Sequence, residues 1–359
     1  MNLPPTTLVD ALRRHKDQTG SGITFIEGSD KRRFLSYQSL YDQALTALGS
    51  LQRLNVGSGA QVMLQVEDNE SFLTLFWACI LGNLIPVPLS PGNQADHKLK
   101  PFTIWPKLTN PYLVADPAGT DRLEKFSAEN GLDDAYRAMR GRRFTSDQVL
   151  GGGPRGTISE TSPGATAYIQ YSSGSTGKPK GVVLTHANLL CNIGDIVDCT
   201  GISGRDSMLS WMPLTHDMGL IGIHLTGLVA GVHQYLMPTA LFIRRPLLWL
   251  ELASEYRTTL LYSPNFGYEY FLEALKGKPQ AAWELTAVRL VFNGAEPINH
   301  ALCEGFTRAL LPFGLGPHTL LPVYGLAEAA VAVTITEAGA PVTAYTVKRN
   351  QLGVGAVVH

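Results

Sequence analysis

The sequence predicts an α/β protein built as layers of helices on sheets. Three observations carry that expectation. Short apolar runs recur along the chain, helical patterns fall between them, and hydrophobic residues make up 45% of 359 positions, enough for two or three packed layers. The runs expected as strands are QVMLQV (61–66), LIPVPL (84–89), YLVAD (112–116), TAYIQY (166–171), GVVLTH (181–186), MLSWMP (208–213), TLLYS (259–263), VRLVF (288–292) and TLLPV (319–323). Apolar residues at 3.6-type spacing predict helices in FLTLFWACIL (72–81), HANLLCNIGDIV (186–197), PLLWLELASEY (246–256) and GYEYFLEALKG (267–277). FLTLFWACIL is too short to span a bilayer and reads as a buried helix stopped by Gly82. The glycine- and proline-rich stretch VLGGGPRGTISETSPGATAY reads as a flexible surface connection, and a subdomain boundary is placed within it. The expected division is 1–160, a first sheet-plus-helix subdomain, and 161–335, a second.

The 29 Lys and Arg against 30 Asp and Glu leave a net charge of -1, so no basic field recruits nucleic acid or an acidic membrane. Cys79, Cys191, Cys199 and Cys303 form no C-x-x-C pair and no zinc spacing; they read as buried thiols in a reducing, cytoplasmic setting. The first residues, MNLPPTTLVDALRRHKD, lack the basic segment and apolar run of a signal peptide.

Between TAYIQY and GVVLTH lies SSGSTGKPKG, a strand, loop, strand unit. Gly174, Gly177 and Gly181 permit close backbone approach, Ser172, Ser173, Ser175 and Thr176 offer hydroxyls and backbone N–H groups, and Lys178 and Lys180 add charge. Such a concavity of donors suits a polyphosphate. It is not a Walker A loop, because Gly174 and Gly177 are too close and Pro179 follows Lys178. By composition alone the same stretch also suits a plain Gly/Ser surface hairpin.

Ile169 to Lys180, IQYSSGSTGKPK, resembles the signature loop of the AMP-forming acyl-adenylating enzymes, and NGAEP (293–297) and YGLAE (324–328) resemble two further motifs of that superfamily in the expected order. SWMPLTHDMGLIG (210–222), SPNFGYEYF (263–271) and YGLAEAA are most similar to the fatty acyl-AMP ligases, and the likeness runs from LSYQSLYDQA to VKRNQLGVGAVV. The resemblance implies a layered αβαβα N-terminal domain, two related subdomains and, over 336–359, the start of a small β-barrel. Nothing matches the rest of that barrel, a ribose-binding Asp, a hinge or a C-terminal domain with a catalytic lysine, so a part of a longer enzyme or megasynthase is expected.

Each motif follows an expected strand, where ligands of open α/β sheets collect. Asn293, Gly294, Ala295 and Glu296 offer a flat slot for adenine; Tyr324, followed by Gly325, Leu326 and Ala327, offers a ring to stack on it. Glu328 is a hard oxygen ligand suited to Mg2+ at the phosphates. Asn293-Gly294 also suits an ordinary turn and Glu328 a helix-end charge; the joint, ordered occurrence favours the site. The resemblance places His216 beside the acyl carboxylate, with Asp217 next to it, and draws an acyl pocket from Met212, Leu220, Ile221, Leu225, Phe266, Gly267 and Tyr268. Many superfamily members carry Thr where this chain has Ala327, an Ala shared by the fatty acyl-AMP ligases. Ala329 and Ala330 differ from the Ala-Thr pair common there and leave a short polar or cyclic acid open beside a fatty one.

A carboxylic acid with a pKa of ~4 to 5 is already an anion at neutral pH and attacks the α-phosphate without a protein base. The protein then supplies alignment and charge neutralisation for the leaving pyrophosphate, tasks that fall to Lys180, the hydroxyl loop and Mg2+ on Glu328. The expected function is ATP-dependent conversion of a carboxylic, by resemblance fatty, acid to acyl-AMP, then transfer to the phosphopantetheine thiol of an acyl or peptidyl carrier protein. The alternatives are an acyl-CoA or aryl-CoA ligase and a non-catalytic nucleotide-binding interaction module.

Overall fold

The computed structural model describes residues 4–92, 94–172, 179–276, 282–345 and 347. In chain order the first strands are β1 (Gly22–Ile26), β2 (Arg32–Ser36), β3 (Gln61–Gln65), β4 (Ile85–Pro88), β5 (Pro111–Ala115), β6 (Arg143–Thr145) and β7 (Thr166–Ser172). They are followed by β8 (Lys180–Thr185), β9 (Ser207–Ser210), β10 (His233–Leu236), β11 (Leu260–Ser263), β12 (Leu290–Asn293), β13 (Leu320–Gly325) and β14 (Ala332–Ile335). Each run expected as a strand forms one. The short strands β1, β2, β6, β10 and β14 were not anticipated. Arg32 and Arg33 interrupt the apolar pattern of β2 and His233 and Gln234 that of β10, β6 and β14 are three and four residues long, and the apolar run GITFI of β1 was not recognised.

The strands form an eight-stranded sheet, order β14-β13-β12-β11-β9-β10-β1-β2, a four-stranded sheet, β4-β3-β5-β6, and the β7–β8 hairpin. In the large sheet β13, β12, β11, β9, β10 and β1 run parallel, with antiparallel β14 and β2 at its edges. The β1–β2 hairpin thus joins strands from beyond residue 200, and sheet membership does not follow a cut at residue 160. β3 sends Val62 and Leu64 into the main core and Met63 into a second core with Phe102, Leu123 and Phe126, so the small sheet is covered on both faces. That explains its apolar runs.

The helices Asn69–Leu81, His186–Thr200, Leu248–Glu255 and Asn265–Leu275 match the expected patterns. In the first of these every residue from Phe72 to Leu81 is buried. Among the described residues no helix is long and apolar enough to cross a membrane.

Two expectations are corrected. The glycine-rich stretch is not a loose connection. Gln52 bonds the backbone of Thr157 through both ends of its amide, at 2.7 and 2.9 Å, and the Gly156 N–H donates to the Leu45 carbonyl at 2.7 Å. A Cβ at Gly49 would stand 2.1 Å from the Pro154 oxygen, so the stretch lies against the helix Tyr37–Arg53 where only glycine fits. Of the four thiols only Cys79 and Cys303 are buried; Cys191 and Cys199 are exposed, because they fall on the outward stripe of an amphipathic helix.

Candidate functional site

Because β9, β11, β12 and β13 are parallel neighbours, their carboxyl ends open on one edge of the sheet. The segments that leave these ends are Trp211–Asp217, Pro264–Phe266, Gly294–Pro297 and, from the last residues of β13, Tyr324–Glu328. Four stretches distant in sequence therefore meet on one rim, the position where open α/β sheets bind ligands.

Lys180 begins β8 opposite Ser172 of β7, at the mouth of the hydroxyl loop. Its Nζ lies 3.4 Å from Oε1 of Glu328, across 148 positions of sequence. The side chains are 66% and 47% exposed, so this pair is free to exchange one partner for an anion or a cation. Ser173, Gly174, Ser175, Thr176, Gly177 and Lys178 lie outside the described residues. Tyr324 is 60% exposed on the rim, and Leu326 and the buried Ala327 follow it. A Cβ on Gly325 would stand 1.7 Å from the Val331 oxygen, which explains glycine in the turn. Asn192, on the helix His186–Thr200, holds that turn from below: its Oδ1 accepts from Ala332 N at 2.9 Å and its Nδ2 donates to Ala332 O at 2.8 Å.

Asn293 is fully buried, donating to Asn265 Oδ1 and Cys303 Sγ at 3.3 Å, so its side chain braces the neighbouring loop. Gly294 lies close against Val323, where a Cβ would come within 2.7 Å. Ala295, at φ +71°, is exposed and faces the cavity. Glu296 is exposed and accepts the Phe266 N–H at 2.6 Å, tying two rim segments together.

His216 is half exposed between a cavity of about 180 Å³ and a wider cleft of about 660 Å³ and lines both. Its Nδ1 lies 2.7 Å from Asp217 Oδ1, which also accepts the Met218 N–H at 2.7 Å. That contact assigns the proton to Nδ1 and leaves Nε2 for a ligand. Burial opposes charging of the ring, but the hydrogen bond and charge of Asp217 outweigh it and hold the imidazole above its usual range. Among the described residues no group of three His, Cys, Asp or Glu could hold a metal. The single accessible carboxylate of Glu328 suits Mg2+, which takes one or two carboxylates and completes its shell with phosphates and water.

The residues expected to wall an acyl pocket lie away from the smaller cavity. None of Met212, Leu220, Ile221, Leu225, Phe266, Gly267 or Tyr268 lines the smaller cavity. Leu220, Ile221 and Leu225 point into the main core from the π-helix Met218–Leu225, whose other face presents Met218 and Gly222. Tyr268 is spent on the Phe292 carbonyl at 2.6 Å, and Gly267 makes room for Ser263 and Trp211. Met212 is buried in the main core, and the 37% exposed Phe266 packs edge-on against Trp211. That cavity is lined by Ile196, Met218, Gly222, Tyr262, Phe292, Val323, Val331, Ala332 and Ile335 together with His216, Asp217, Ala295, Tyr324 and Gly325. Sequence reasoning missed the first nine of these and Asn192 as individual residues. Ile196, Asn192, Tyr262, Phe292 and Val323 lie on a helix and strands it had placed, Met218 and Gly222 in the SWMPLTHDMGLIG segment, and Val331, Ala332 and Ile335 in or beside β14, which it had not.

Residues 107–358 match the family model described as AMP-binding enzyme. The chain belongs to the AMP-binding enzyme family. The matched span holds Lys180, His216, the NGAEP segment and the YGLAE turn, whereas β1 to β4 precede it. This AMP-binding chain is 29% identical to a medium-chain-fatty-acid–[acyl-carrier-protein] ligase, JamA, of Moorena producens, over 98% of its own length and 60% of that protein. It is 37% identical to a 4-hydroxyphenylalkanoate adenylyltransferase of Mycobacterium marinum over 90% of its length and 52% of that protein. Its fold overlays the crystal structure of a fatty acid AMP ligase from Legionella pneumophila with a TM-score of 0.86 and 26% identity, covering 99% of this chain and 61% of that one. The chain thus spans little more than half the length of the relatives it matches.

Proposed function

We propose that the chain carries the nucleotide and acid sites of an AMP-forming acyl ligase, which joins a carboxylic acid of the fatty acid class to ATP as acyl-AMP with release of pyrophosphate. The observation that carries this reading is the convergence of Lys180, Glu328, Tyr324 and the His216–Asp217 pair on one sheet edge beside an apolar cavity. Tyr324 offers its exposed ring to the adenine. Lys180 neutralises charge on the departing pyrophosphate, and His216, held by Asp217, meets the carboxylate at the cavity mouth. Mg2+ bound at Glu328 would supply further neutralisation of phosphate charge. An acid that is already ionised requires no protein base, which accounts for a site built of positioning groups.

The acyl group is proposed to pass to the phosphopantetheine thiol of an acyl or peptidyl carrier protein, a reading supported by the names of relatives such as the acyl-carrier-protein ligase. The cytoplasm is its proposed setting. The organisation proposed is a first subdomain over 1–160, exchanging its β1–β2 hairpin into the large sheet, a second over 161–335, and a β-barrel beginning at 336–359. The test is ATP–pyrophosphate exchange by the full-length protein with a panel of acids, followed by acceptor competition. Exchange with an acid, then acylation of a phosphopantetheinylated carrier faster than of coenzyme A, is the expected outcome. Equal rates for both acceptors would favour a CoA ligase, and absence of exchange would leave a nucleotide-binding interaction module.

A further inference from the structure

Tyr262 has no part in the adenylation chemistry just described. It lies one residue before the carboxyl end of β11, in register with Phe292 of β12, and the two rings stack 4.5 Å apart at an interplanar angle of 5°. Both line the 180 Å³ cavity. Tyr262 is 2% exposed, and its hydroxyl, cut off from solvent, has no hydrogen-bond partner among the described residues. Other buried tyrosines do not share this condition: Tyr37 donates to the Val232 carbonyl and Tyr268 to the Phe292 carbonyl, each at 2.6 Å. A buried hydroxyl is costly to leave unpaired, so an orphan beside a cavity points to an occupant that completes it. Burial also pushes the phenol far above its usual pKa, which keeps it a neutral O–H donor.

The rest of the wall is small or aliphatic except at His216, Asp217 and Tyr324. A Cβ on Gly222 would come within ordinary contact of Val331 and Met218, at 3.8 and 3.9 Å, so glycine preserves room at this point. A cavity of ~150 Å³ lined by apolar side chains accommodates benzene. The space here accordingly takes one ring or a chain of about seven carbons. Its occupant is apolar where it meets the aliphatic wall, polar toward His216 and Asp217, and bears a further hydrogen-bonding group for Tyr262.

We propose that the acid activated at this site is compact, of ring size or about seven carbons, and carries a hydroxyl or oxo group that accepts a hydrogen bond from Tyr262. This rests on the adenylation reading above. Ring and chain share the same chemistry, and the test separates them.

ATP–pyrophosphate exchange by the full-length enzyme would be measured with para-hydroxyphenylacetate against phenylacetate, and with terminally hydroxylated heptanoate against heptanoate. Palmitate tests the size limit. The wild type is expected to favour the hydroxylated member of at least one pair by about tenfold or more in kcat/KM, and Tyr262→Phe to bring that ratio toward one, chiefly through KM. Because the substitution deletes an unpaired hydroxyl and keeps the ring, the melting temperature should hold or rise. Equal ratios in both enzymes, no preference in the wild type, or preference for palmitate over every compact acid would overturn the inference and leave adenylation standing. Exchange with none of the acids would overturn adenylation and this inference with it.

Discussion

His224 sits on the π-helix Met218–Leu225 and is fully buried, with both ring nitrogens engaged. Trp77 Nε1 donates to its Nε2 at 2.9 Å, and its Nδ1–H donates to Gln234 Oε1 at 3.1 Å; Gln234 Nε2 in turn donates to Tyr37 Oη at 2.7 Å. The network requires neutral imidazole, because a second ring proton would meet the Trp77 N–H. Burial pulls the pKa down to about 4 against the upward effect of Gln234. With an unfolded value near 6.5, the unfolded chain binds more protons between pH 6.5 and 4, so stability is complete above this window and lost as pH falls through it. The 2.5-unit difference corresponds to about 3 kcal/mol in full, and about 2 kcal/mol is already lost at pH 5. His186, whose Nδ1 accepts the Leu8 N–H at 3.2 Å and whose pKa burial also lowers to about 4, adds an effect of the same sign. His216 is displaced upward and contributes in the opposite sense. Urea unfolding of the wild type and of His224→Leu at pH 7.5 and 5.0 isolates the one ring. The variant should be weaker at pH 7.5 by about 1–3 kcal/mol, from the unpaired Trp77 and Gln234, yet lose about 2 kcal/mol less on acidification. The same acid loss in both proteins would refute the reasoning.

The remaining predictions concern the rim. Lys180→Ala should lower adenylation about 100- to 1,000-fold, as expected for loss of one preorganised charge contact, while the melting temperature stays near the wild-type value because the Lys180–Glu328 pair is exposed. Exchange kinetics and a thermal melt on the same sample check this, and unchanged kinetics would remove Lys180 from the site. Glu328→Gln keeps shape and removes charge, so half-maximal exchange should require more Mg2+; a wild-type titration curve would remove Glu328 as its ligand.

The sequence by itself determined the strand-then-loop rhythm and the residues that carry charge on the rim. Both are local: apolar runs announce strands, and Lys180, His216 and Glu328 stand in short motifs at their ends. It also determined that the helix Asn69–Leu81 is buried, since a segment apolar on every face has nowhere else to go. Only the tertiary structure decided which strands become neighbours. Periodicity marks an inward face without naming its partner, so the placement of the β1–β2 hairpin at the edge of the large sheet, with β1 beside β10 far beyond it in sequence, was invisible. The same ignorance reassigned the cavity wall, because whether Leu220 or Gly222 faces the cavity depends on the rotational phase of a π-helix against the large sheet. Tyr262 and Phe292 are separated in sequence and stacked only by parallel register, and Asn192 reaches Ala332 only because its helix crosses beneath β14. Local chemistry set which groups stand on the rim, and long-range register set the shape and polarity of the cavity beside them.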